Sequence, residues 1–131
     1  MLVAPGTATR LVIMTNESVD LGLAETPHDR VIALFGAAEA RLKEVGQVMR
    51  EDPGLASELA AAYLLLLGEG VRAVLKDESE PAQELALARL AAAERAKNQE
   101  SALVQLGSAA QGPLKGTLAE ALAMSRELAK P

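Results

Sequence analysis

Apolar residues recur at helical spacing along most of the chain. Val31, Phe35, Ala38, Leu42, Val45 and Met49 follow one another at steps of 4, 3, 4, 3 and 4, a continuous stripe along one helix face that Ile32 and Leu34 widen. Thr26-Pro27-His28-Asp29 supplies the start. A threonine hydroxyl can cap the first amides, proline tolerates the first helical position, and an acidic residue follows in the first turn. Together they predict a helix over residues 27–51, with Glu39 and Lys43 as an i,i+4 pair on its polar side.

Asp52-Pro53-Gly54 is the next stop and start, and the stripe Leu55, Leu59, Ala62, Tyr63, Leu66 predicts a second helix over residues 53–76. Gly68-Glu69-Gly70 interrupts it. Two glycines in a helix interior cost about 2 kcal/mol relative to alanines, so a kink or the close approach of a neighbouring backbone is expected. Asp77-Glu78-Ser79-Glu80 reads as a loop, and Pro81 opens a third helix over residues 81–110 that carries Leu85, Leu87 and Leu90 and later Leu103, Val104 and Leu106. Between them Lys97-Asn98-Gln99-Glu100-Ser101 holds no apolar residue, which predicts either a bend or an overhang beyond the bundle. Gly112 reads as the glycine that ends this helix. Pro113 then starts a fourth, with Leu114, Leu118, Ala121, Ser125 and Leu128 at steps of 4, 3, 4 and 3. Leu11-Val12-Ile13-Met14 resembles a strand start, but a lone strand has no partner here, so a short amphipathic helix over residues 8–24 is the reading, after irregular residues 1–9. The expectation is one all-α domain over residues 1–131, a bundle of four main helices with a short N-terminal amphipathic helix.

Composition narrows the function. At 131 residues, half of them hydrophobic but only 2 % aromatic, the chain is an alanine- and leucine-rich single domain. A net charge of −5 disfavours nucleic acid, which a basic stripe must neutralise. Phe35 and Tyr63 are the only aromatics, too few for a base-stacking platform, and both read as core. With no cysteine and one histidine, thiolate zinc sites, iron–sulfur clusters, a cysteine nucleophile and a multi-histidine metal site within one chain are excluded. The longest apolar run, Leu59 to Leu67, is about half of the ~20 residues a membrane span needs, and Met1 to Gly6 lacks the basic and apolar regions of a signal peptide.

Candidate chemistry is thin. Glu25 and His28 have the E-x-x-H spacing of carboxylate-bridged di-iron bundles, but such a site needs the pair twice and two further glutamates. His28 is thus the one candidate metal ligand, and a solvated or structural histidine is the simpler reading. Gly107 to Gly112 continues with Pro113 where a phosphate loop needs lysine, so a nucleotide site is not expected. Glu78, Glu80, Glu84, Glu94, Glu100, Glu120 and Glu127 read as a solvated face, because nothing in the sequence seats them against apolar walls. Ser18, Ser101, Ser108 and Ser125 lack the G-x-S-x-G elbow. Asn16-Glu17-Ser18 matches the short glycosylation sequon, a pattern common by chance. No catalytic residue and no cofactor is assigned. The consecutive leucines Leu64 to Leu67 point all round their helix, so Leu64, Leu65 and Leu67 are the candidate partner-binding residues.

Three stretches carry a resemblance. Ser18 to Ala24 followed by Thr26-Pro27-His28-Asp29-Arg30 resembles a short amphipathic helix running into a D-P-x-x-R helix start; Ala37 to Glu44 resembles an A-E-x-R-L-x-E core; Gln99 to Leu106, then Gly112-Pro113 through Ala121 to Arg126, resembles a closing P…A-L-x-x-S-R helix. Over about residues 10–128 the chain is thereby similar to an uncharacterised helical domain of exported or membrane-anchored bacterial proteins, often found near extracytoplasmic-function sigma factors. It departs from that pattern at Gly22 and at Gly68-Glu69-Gly70. The resemblance implies a non-catalytic extracytoplasmic module. The expected function is accordingly a non-enzymatic helical interaction or regulatory module, binding a protein partner or a second copy through helices, without nucleic acid and without a membrane span of its own. The alternatives are a metal- or small-ligand-responsive sensor and a cytoplasmic helical scaffold.

Overall fold

Thr26 caps the first helix: its hydroxyl accepts from the Asp29 amide at 3.1 Å, and α1 runs Pro27–Val48. The computed structural model describes residues 26–130, so the expected N-terminal helix over residues 8–24 lies outside the described residues. α1 stops three residues before the expected end at residue 51. Asp52 leaves the helical backbone conformation, with φ of −140° and ψ of 79°, to cap the next helix, where its carboxylate accepts from the Leu55 amide at 3.0 Å, and residues 49–51 form the turn that brings it there.

α2, Pro53–Leu65, leads without a break into a π-helical segment, Leu66–Val71, and then into the single turn α3, Arg72–Leu75. The Arg72 amide bonds to the Leu67 carbonyl, five residues back, which is the widened π register. The sequence pattern explains it. Tyr63, Leu67, Val71 and Leu75 are spaced by four, and at 3.6 residues per turn three such steps would carry the stripe roughly 120° away from the core. The wider turn keeps Leu67 and Val71 buried with Tyr63. The expected kink is thus a π segment, and the close neighbour at Gly70 is a side chain, Leu34 of α1. A Cβ at Gly70 would stand 2.8 Å from Leu34 Cδ2, whereas one at Gly68 would meet Met124 Cε at an ordinary 3.6 Å. Leu34 is itself buried and cannot swing aside freely. Gly70→Ala therefore lowers stability by about 1 kcal/mol or more, the clash outweighing the propensity gain, while Gly68→Ala is neutral or stabilising. Thermal melts of the two variants check this; a Gly70→Ala protein as stable as the parent would refute the close contact.

α4, Ala82–Ala109, is one helix of 28 residues and runs without interruption through the polar stretch where a bend was expected. Its core side is Leu85, Ala88, Ala92, Ala96, Gln99 and Leu103. Leu87, Leu90 and Val104, counted above in its apolar pattern, instead face outward. Ala110 caps α4 in an extended conformation, so Gly112 does not end that helix. It enters the next one, with φ of 64°, a left-handed value that a side chain would strain. α5 covers Pro113–Ala129.

Contacts place α1 beside α2 and α4, and α5 beside α2 and α4, so the four long elements ring the core in the order α1, α2, α5, α4. The Gln99–Phe35 and Gly46–Leu106 contacts show α1 and α4 running parallel, and the short residue 76–81 connection must cross beneath the bundle to achieve it. Arg30 holds that crossing through Glu80 at 3.4 Å, and Arg89 donates to the Leu75 carbonyl at 3.3 Å, satisfying a helix C-terminus. The core itself is largely alanine, including Ala38, Ala56, Ala60, Ala88, Ala92, Ala96 and Ala121, which lets helices approach closely around a few large side chains such as Phe35, Tyr63, Leu67, Leu103 and Leu118. Among the described residues there is no strand, and no helix is long and apolar enough to cross a membrane.

Candidate functional site

Two features stand out from the packed bundle: a buried polar cluster and an apolar groove. In the cluster, the Tyr63 hydroxyl donates to Gln99 Oε1 at 2.6 Å, and Gln99 Nε2 donates to the Phe35 carbonyl at 3.0 Å. On the neighbouring helix the Ser125 hydroxyl donates to the Ala96 carbonyl at 3.1 Å. Each polar side chain is buried and each has a partner, as an interior of low dielectric demands. The cluster ties α1, α2, α4 and α5 together at mid-height. Burial pushes the Tyr63 hydroxyl well above its ordinary value, with the Ser125 hydroxyl pulling weakly the other way. A phenol in that state keeps its proton at neutral pH and serves neither as base nor as nucleophile. Sequence inspection missed Gln99. The signal was present in its position, because Leu85, Ala88, Ala92, Ala96, Gln99 and Leu103 form a single stripe at steps of 3, 4, 4, 3 and 4.

The groove lies between the α2–π–α3 rod and α5. It encloses about 570 Å³ and is floored by Leu64, Leu65, Gly68, Ala123 and Met124. Its rim carries Glu69, Glu120 and Glu127 against a single Arg72. Glu127 shares a long 3.9 Å contact with Lys130. The candidate leucines separate here. Leu64 is half-buried and packs against the core while also lining the groove; Leu65 is half-buried and lines the groove without joining the core. Leu67 is fully buried on the same side as Tyr63 and contributes no surface. Sequence inspection missed Met124 and read Glu120 as a solvated carboxylate; both reach the groove because α5 lies beside α2.

His28 sits on the first turn of α1 with its side chain 44 % exposed and Nδ1 3.5 Å from an Asp29 carboxylate oxygen. Glu25, its E-x-x-H companion, lies outside the described residues. Among the described residues no group of three histidine, aspartate or glutamate side chains gathers as a metal site would require. Of Glu78, Glu80, Glu84, Glu94, Glu100, Glu120 and Glu127, the pair Glu120 and Glu127 shares the rim of the apolar groove, while Glu100 pairs with Arg126 at 2.7 Å as an exposed ion pair on the bundle surface. No protein-family model, curated protein or solved structure matches the chain.

Proposed function

We propose that the chain is a non-enzymatic helical interaction module whose groove beside the π segment receives a basic amphipathic helix from a protein partner. The observation that carries this reading is the pairing of an apolar floor, Leu64, Leu65 and Met124, with a rim of three carboxylates and one guanidinium. A helix laying leucine-like side chains into the floor and lysine or arginine along its flanks matches both features. The π segment supports the assignment, since such widenings recur at functional positions, and here its Gly68 and Glu69 line the groove. The placement of the module outside the cytoplasm, in an envelope or signalling protein, is supported by the sequence resemblance.

The test is a calorimetric titration with a synthetic amphipathic peptide carrying leucine at i, i+3, i+4 and i+7 and lysine elsewhere. Saturable binding is expected, weakened about tenfold or more by Leu65→Lys, which removes an apolar contact and sets a like charge against the basic peptide. The variant keeps its helical circular dichroism because Leu65 is not a core residue. Unchanged affinity in a folded Leu65→Lys protein would overturn the reading.

A further inference from the structure

The outer face of α4 carries a second stripe, separate from the groove. Leu87, Leu90, Glu94, Lys97, Ser101 and Val104 step by 3, 4, 3, 4 and 3 residues, the spacing of a coiled-coil seam, and all six are exposed. Leu90 is 69 % exposed, Leu87 49 % and Val104 45 %, and these are the large hydrophobics that the described residues leave open. α4 meets α1 and α5 through its other side, so nothing within the described bundle covers the stripe.

The order of residues along it is self-complementary. An antiparallel pairing of two α4 helices about a twofold axis between Arg95 and Ala96 sets Leu87 against the partner's Val104, Leu90 against the partner's Ser101 and Glu94 against the partner's Lys97. The twofold repeats every pair, as an isologous contact must. Parallel pairing in register would instead set Glu94 against glutamate and Lys97 against lysine. Neither Glu94 nor Lys97 has an ion-pair partner among the described residues of its own chain. We propose that a second copy of this chain docks on the outer face of α4, helix against helix in antiparallel register, with the Glu94–Lys97 pairs selecting direction and the leucines supplying burial. One helix stripe falls short of the roughly 800 Å² per partner of a standard stable interface, so the dimer is reversible and forms with rising concentration.

Sedimentation velocity on the full chain across a wide concentration range tests it. A monomer–dimer equilibrium is expected, abolished by Leu90→Glu. Glu94→Lys or Lys97→Glu alone turns both attractive pairs repulsive and weakens the dimer about tenfold, while the double reversal returns it to the parent value. All four variants keep parental circular dichroism, since these positions are exposed. A parent that stays monomeric throughout, a dimer indifferent to Leu90→Glu, or a double reversal no better than either single one would overturn the proposal. The groove plays no part in these readouts.

Discussion

Tyr63→Phe, the loss of one oxygen atom, lowers stability at neutral pH by about 1–3 kcal/mol, a large fraction of what holds a small domain together. The removed hydroxyl is the donor to Gln99 Oε1, and a buried amide oxygen left without a donor bears its full desolvation cost. Gln99→Leu removes both bonds and takes away the acceptor of the Tyr63 hydroxyl, yet fills the site with an apolar side chain of similar size. The double variant Tyr63→Phe/Gln99→Leu is therefore more stable than the sum of the single losses predicts, and a double-mutant cycle by urea unfolding measures the coupling. Alkali reads the same network. Below the ordinary tyrosine value of about 10, folded and unfolded chains both hold the phenol neutral and the contribution is complete. Above it the unfolded chain releases the proton while the folded chain, its hydroxyl pushed up by burial, retains it. Each further pH unit then removes about 1.4 kcal/mol, until the folded-state value is passed. With one tyrosine and no tryptophan in the chain, the tyrosinate absorption band is a clean reporter. It is expected to rise together with the loss of helical circular dichroism. Tyrosinate forming near pH 10 in a protein that keeps its helices would contradict the buried network.

Leu67→Ala costs about 2–5 kcal/mol, whereas Leu65→Ala, two residues earlier, costs about 1 kcal/mol or less. Both are leucines of one uninterrupted run, and two positions apart on a helix they face nearly opposite sides, Leu67 fully in the core and Leu65 at the groove edge. Urea midpoints for the two variants check this. Equal losses would contradict the placement of Leu67 in the core and Leu65 at the groove edge.

α1 was legible because caps, period and polar pairs all agree along residues 26–48. The second helix was legible in existence but not in phase: four leucines in a row fit any register, and only contact with α1 and α5 decides which pair turns inward. Gln99 was hidden for a chemical reason. A glutamine among Lys97, Asn98, Glu100 and Ser101 reads as surface, and what makes it a core residue is a hydroxyl 36 positions away. Leu87, Leu90 and Val104 failed in the opposite sense, since hydrophobicity suggested core while the rotation of α4 set by Leu85, Ala88, Ala92 and Ala96 turned them out. Of the groove, Leu64 and Leu65 were visible as an excess of apolar surface on one helix. Met124 and the acidic rim required knowing that the chain crosses beneath the bundle and brings α5 alongside α2.

The most direct test of the interaction account is a methyl NMR titration of the isotopically labelled chain with the leucine–lysine peptide and with a matched leucine–glutamate peptide. The account predicts saturable shifts at Leu64, Leu65 and Met124 with the basic peptide, silence at Leu87, Leu90 and Val104, and no response to the acidic one. Shifts scattered over the whole surface, equal responses to both peptides, or no response to either would contradict it.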